Sequence, residues 1–258
     1  MHHLHIDRFA GLSSPVHAID PRAKLVTTLL FAFLVVLTPD GFFMSYAVYF
    51  LAALAVIAVS HVPVGYVSKR SLTLLPFVVF ISIFVPFITP GAEVAGFDAG
   101  PFRAIVTDRG IVRFLSIVAR AVTVFFATIT LVSTTRFGDL MRAAGALGLP
   151  AKLVVVLSFM YRYLFILVDE ASHMLLARSL RTHGNGGAAV LKASGGIVGA
   201  LFVRSFEHAE RLYEAMMLRG YTGNAVSLRP MRLGARDIAL CGSFIVLSLA
   251  GLALGFTG

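Results

Sequence analysis

The chain has 258 residues, 58% of them hydrophobic and only 14% charged, with a mean hydropathy of +0.87. A soluble domain usually carries about a quarter charged residues, so this chain has too little polar surface to cover itself in water, and lipid is the better solvent. Its net charge of +9 reports orientation before ligand, because bases of a membrane protein gather in cytoplasmic segments. Nucleic acid is excluded as a partner, since the bases interleave with apolar helix faces rather than with exposed stacking aromatics. The one cysteine, Cys241, lies in an apolar run and can support neither an internal disulfide nor a cysteine metal site. No charged-then-apolar secretory leader is expected at the N-terminus.

The first expected span, Leu25 to Leu37, is short, with Arg22 and Lys24 able to snorkel at one end. Thr38, Pro39, Asp40 and Gly41 make a tight turn into a second span, Phe42 to Ser60. His61 to Arg70 reads as a cytoplasmic loop carrying Lys69 and Arg70. Ser71 to Ala92 is an uncharged third span with Pro76 and Pro86 as kinks. Glu93 to Arg113 is a polar loop in which three acids (Glu93, Asp98, Asp108) balance three bases (Arg103, Arg109, Arg113). Phe114 to Thr135 is the fourth span, with Arg120 inside it, and Ile238 to Leu254 is the fifth. An intramembrane arginine is a functional candidate by default, although Arg120 fits equally near an interface or against another helix.

The stretch from 136 to 236 is neither loop nor span, and holds thirteen of the 22 Lys and Arg residues. A short amphipathic helix, Phe137 to Leu147, is stopped by Gly148 and Pro150. A long helix follows from Ala151 to Arg181; its first part, Leu153 to Phe159, is apolar enough to sit in or under the bilayer, and Gly184, Gly186 and Gly187 end it. A third helix runs from about Ala188 to Arg219 and stops at Gly220 and Gly223. Gly195, Gly196 and Gly199 give it a small-residue face suited to close crossing by another helix. The expected organisation is a bundle of four spans (1–135), the inserted helical region (136–236) and a last span (237–258). The fold class is an all-α membrane protein with about five transmembrane helices. The bases put the N-terminus and the insertion in the cytoplasm.

The two long helices end alike. At an offset of 38, Ala171, Ala177, Leu180 and Arg181 coincide with Ala209, Ala215, Leu218 and Arg219. An arginine in the last turn is favoured by the helix macrodipole, and a glycine just beyond lets the chain leave sharply. One such end is an ordinary solvated cap. Two matching ends suggest a partner with two equivalent grooves, each taking a planar guanidinium fork. Ala177-Arg178-Ser179 is a rival for the first tip, but the offset would match Arg178 to Met216.

These features resemble the transmembrane T component of energy-coupling-factor transporters, and within that family the CbiQ type of cobalt uptake system. The resemblance covers nearly the whole chain. It rests on Asp20-Pro21-Arg22-Ala-Lys24 opening the first span, on Leu147-Gly-Leu-Pro150 followed by Tyr161-Arg162-Tyr163, and on the paired tips Leu180-Arg181-Thr182 and Leu218-Arg219-Gly220. The family has alanine where Leu180 and Leu218 stand, and glycine where Thr182 stands.

The resemblance implies that these six residues couple to ATPase subunits. It implies two ATP-binding subunits at the cytoplasmic face, a CbiM-like substrate-binding S component in the membrane, and room for a small accessory membrane subunit. The setting would be a bacterial inner membrane, and the cargo cobalt for cobalamin biosynthesis, with nickel or a vitamin as alternatives. The chain itself would be no enzyme and need no cofactor. It has no Gly-x-x-x-x-Gly-Lys-Ser/Thr, His-Glu-x-x-His or Gly-x-Ser-x-Gly. The rival from another class is a self-contained secondary transporter or channel. Such proteins usually carry charges or broken helices at midspan, and Arg120 is the only in-span charge of this reading. Met1-His2-His3-Leu4-His5 has the ligand types for a divalent metal, with a polar interfacial start as the plainer reading.

Overall fold

The computed structural model describes residues 9–99, 102–181, 187–221, 223 and 233–257. The elements in chain order are α1 (Pro15–Ala18), α2 (Pro21–Leu37), α3 (Phe43–Ser60), α4 (Val64–Ser82), α5 (Val85–Ile88), β1 (Glu93–Ala99), β2 (Phe102–Thr107), α6 (Asp108–Thr134), α7 (Phe137–Ala146), α8 (Ala151–Arg181), α9 (Gly187–Leu218) and α10 (Ala235–Thr257). Contacts divide the chain into two compact units, Ala144–Pro230 and His2–Ala143 with Met231–Gly258. The protein is an all-α membrane protein, and one short hairpin is its exception.

In the larger unit, α2, α3, α4, α6 and α10 run alternately along a bundle, with α6 against α2, α3 and α4, and α10 against α2 and α3. Local chemistry sets the ends. Asp20 caps α2 by accepting the amide of Arg22 at 2.9 Å, and Pro21 occupies the first turn, where its missing N–H costs nothing. The turn at Thr38–Gly41 forms as expected, and Gly41 takes a φ of +96° that favours glycine. Thr107 caps α6 by accepting the amide of Gly110, and its hydroxyl donates to the carbonyl of Thr89 at 2.7 Å.

The core has two parts. Ala53, Ile57, Val62, Val67, Phe126 and Ile129 fill one, and Phe31, Val35, Tyr46 and Tyr49 the other. Between them the helices approach on small residues: a Cβ at Gly251 would lie 2.8 Å from Cε1 of Tyr49. Hydroxyls in this apolar setting donate to the carbonyl one turn back, as Thr123, Thr130, Thr134 and Ser248 do. The opposite face of α4 and α5 leaves Leu72, Phe77, Phe80, Phe84 and Phe87 exposed, a surface that only lipid or a membrane partner covers favourably.

Five helical segments among the described residues are long and apolar enough to cross a membrane: 43–60, 64–88, 108–134, 151–180 and 235–255. The number agrees with the sequence expectation, but the set differs. α2, with 17 residues, reaches about 25 Å, just short of a ~30 Å hydrocarbon core, and α8 qualifies by length and composition.

Two expectations for the bundle are corrected. Lys69 and Arg70 are on helix α4, not in a loop, because the helix starts straight after Pro63; Arg70 donates back one turn to the hydroxyl of Tyr66 at 2.7 Å. The polar stretch after the third span is an antiparallel hairpin, with Asp98 opposite Arg103 and an irregularity between Glu93 and Ala95. In the other unit, Gly187 opens α9 rather than closing α8, and Gly184 and Gly186 lie outside the described residues.

Candidate functional site

The smaller unit is built on α8 and α9, helices of 31 and 32 residues. They cross where the ring of Tyr163 meets that of His208 edge-on, with centroids 5.3 Å apart, and where the guanidinium of Arg204 pairs with the carboxylate of Glu170. Tyr163 precedes Glu170 while His208 follows Arg204, so the helices run in opposing senses through the crossing. About 15 Å of helix extends beyond it to each C-terminal end, at 1.5 Å per residue. Each rod therefore holds its tip away from the crossing that fixes it.

The end of α9 is a Schellman motif. Tyr221 donates its amide to the carbonyl of Met216 at 3.0 Å, Gly220 donates to Met217 at 3.0 Å, and Gly220 takes a φ of +79°. Arg219 is thereby the C-cap residue and is exposed. Beside it Leu218 is 90% exposed, and at the matching place on α8 Leu180 is 73% exposed. Arg181 is the last residue of α8, and Thr182 lies outside the described residues. Gly148 ends α7 by the same motif, with Leu149 donating to Ala144 and Gly148 to Gly145.

Two sequence expectations about this region fare differently. The glycine face of Gly195, Gly196 and Gly199 is exposed, and a Cβ at any of them would meet nothing within 4 Å. The crossing is made by Tyr163, Glu170, Arg204 and His208 instead. Tyr163 belongs to a motif that the sequence singles out, but no spacing rule pairs it with His208; the opposite charges of Glu170 and Arg204 were the one available signal. The N-terminal histidines lie outside the described residues, and no group of three potential metal ligands occurs among the described ones.

The open alternatives for Arg120 are resolved by its partners. Its Nε donates to the hydroxyl of Tyr46 at 2.9 Å, and its Nη2 donates to the carbonyl of Thr38 and to Oδ1 of Asp40, the last at 2.7 Å. Arg113 adds a longer pair to Asp40 at 3.6 Å. Arg120 thus clamps the turn between α2 and α3 at one end of the bundle, away from midspan.

The family model for "Cobalt transport protein", CbiQ, matches residues 12–228. The chain belongs to the CbiQ family. Among curated proteins, this CbiQ-family chain is similar to the energy-coupling factor transporter transmembrane protein EcfT of Bacillus selenitireducens, 27% identical over 266 residues that cover 98% of the chain and 97% of the relative. The EcfT protein of Staphylococcus aureus is 28% identical over 269 residues (98% and 97%), and that of Bacillus subtilis 27% over 256 (94% and 95%). The CbiQ-family chain is accordingly a multi-pass membrane protein and a transmembrane component of an energy-coupling-factor transporter.

Proposed function

We propose that this component couples two ATP-binding subunits to a substrate-binding membrane subunit, with Leu180-Arg181-Thr182 and Leu218-Arg219-Gly220 as the two contact points. The observation that carries the reading is the matched pair of helix ends: large, freely exposed leucines next to arginines, on rods fixed by one crossing. Movement of the ATPase pair would move the tips, and the crossing at Tyr163 and His208 would turn that movement into a tilt of the helices beneath the substrate subunit. Residues 1–135 and 237–258 serve as the membrane body, and residues 136–236 as the coupling region.

The cargo in this reading is cobalt, on the strength of the family's description; nickel or a vitamin would use the same machinery through another substrate subunit. The membrane is the cell membrane, with the N-terminus cytoplasmic. Arg22, Lys24, Lys69, Arg70 and Arg136 gather at the bundle end where α2 and α4 start and α6 stops, which favours that orientation.

The test is co-purification. Removing a charged group from a buried interface costs about 2–5 kcal/mol, so Arg181→Ala with Arg219→Ala should release the ATPase subunits in detergent while each single variant weakens retention. Full retention by the double variant would overturn the coupling role. Metal uptake by the chain alone in liposomes would overturn the need for any partner.

A further inference from the structure

One motif is not used by the proposed coupling role: the Asp20-Pro21-Arg22-Ala-Lys24 opening of α2. Lys24 is only 7% exposed. Among the described residues its ammonium makes one hydrogen bond, donated to the carbonyl of Thr134 at 3.0 Å. That carbonyl belongs to the last residue of α6, so Lys24 complements the end of the α6 dipole. An ammonium has three N–H donors, and two are left to fill. Leaving donors of a buried charge unfilled is costly.

Lys24 lines a cavity of about 450 Å³ between α2, α3, α6 and α10. The rest of the wall is mainly apolar, with Phe31, Val56, Val59, Leu131, Phe244 and Leu247. On α2 the lining runs from Lys24 to Phe31, and on α10 from Leu240 to Leu247. Seven residues of helix make the cavity about 10 Å long. Its cation stands at the end where α2 and α10 begin. Three carboxylates act on Lys24 through their charge: Asp139, Asp20 and Asp237. None of them hydrogen-bonds the ammonium: Asp139 pairs with Arg142, while Asp20 and Asp237 accept the amides of Arg22 and Gly234 and keep their charge. Exposed Arg136 and Arg236 flank the same end.

We propose that this cavity is a binding site for an anionic membrane phospholipid, with its phosphate on Lys24 and one acyl chain along the apolar wall. A phosphate oxygen accepts the free N–H donors, and an acyl chain fills a greasy slot that water does not wet well. The site is independent of the coupling role, because it needs neither helix tip nor any partner subunit.

The chain contains no tryptophan, so Phe244→Trp places a single tryptophan, excited selectively over the tyrosines, on the cavity wall. The full-length variant is reconstituted in phosphatidylcholine bilayers containing a small fraction of lipid with brominated acyl chains, either phosphatidylglycerol or phosphatidylcholine. Brominated phosphatidylglycerol should quench at about a fivefold lower mole fraction, the preference expected from one basic residue at an anionic surface. Lys24→Met should abolish that preference and Lys24→Arg should keep it. Equal quenching by the two lipids overturns the proposal, as does quenching by neither. A preference that survives in a folded Lys24→Met variant also overturns it, by moving the attraction to the exposed arginines. Should Lys24→Met fail to fold, the comparison of the two lipids in the Lys24 protein decides alone.

Discussion

Arg120 is a sequence-level alarm with a structural explanation. One guanidinium serves a phenol, a backbone carbonyl and a carboxylate, three directed bonds that its planar fork can make together. Arg120→Gln should lower stability in detergent by about 1–3 kcal/mol, read from thermal unfolding. Arg120→Lys should recover only part of the loss, and full recovery would mean that charge alone matters.

His17 is the histidine whose hydrogen bonds couple its protonation to the packing of the bundle's N-terminal end. Its Nε2 donates to the carbonyl of Phe9 at 2.9 Å, which leaves Nδ1 to accept from the hydroxyl of Ser14 at 2.7 Å. Burial pushes its pKa below the ordinary value; the bond to Phe9 opposes this, and the charges of Lys24 and His61 add to it. The unfolded chain therefore takes up a proton at higher pH than the folded one. The contribution of neutral His17 is complete above its unfolded pKa of about 6.5 and is lost as pH falls through the lowered native value. Melting temperature should drop as pH falls below about 6.5, and His17→Gln should flatten that slope. An unchanged slope in the variant would assign the sensitivity to other groups.

Among elements, the decisive positions are those where two backbones nearly touch. A Cβ at Gly110 would stand 2.6 Å from Cα of Pro86 and 2.8 Å from its carbonyl oxygen. Neither atom can rotate away, so Gly110→Ala should cost about 1–3 kcal/mol and loosen α5 from α6. Gly65→Ala is the control on α4: nothing lies within 4 Å of its Cβ, and the melting temperature should hold or rise slightly.

Gly220→Ala tests a different cause. No atom crowds that position, yet its φ of +79° is strained for alanine, which costs about 1–2 kcal/mol. Hydrogen exchange at the amide of Tyr221 should quicken while the crossing at Tyr163 and His208 keeps its protection. The sequence marked Gly220 as a helix end and Gly195 as part of a small-residue face, and it did not single out Gly110. It could not tell a crowded glycine such as Gly110 from an open one such as Gly195, because the difference lies in a neighbour distant in sequence.

For the molecule as a whole, orientation is the quantity that charge distribution predicts and labelling can check. In a Cys241→Ser background, Gly258→Cys should react with an impermeant thiol reagent added outside intact cells, and Tyr221→Cys should react only after lysis. The reverse pattern would invert the assignment of sides. The sequence by itself determined that this chain lives in lipid, since too few charged residues exist to solvate it. It also carried the repeated helix ends at Leu180-Arg181 and Leu218-Arg219, because a repeat depends on local order alone; it did not mark α8 as a span, which is long and apolar enough to cross a membrane. The tertiary structure alone decided what each charge does. Arg120 and Lys24 look alike in sequence, as bases in or beside a span. One is consumed by the turn between α2 and α3, and the other is buried beside a cavity with donors to spare. That difference arises from residues 80 to 110 positions away in the chain, brought close only when the helices pack.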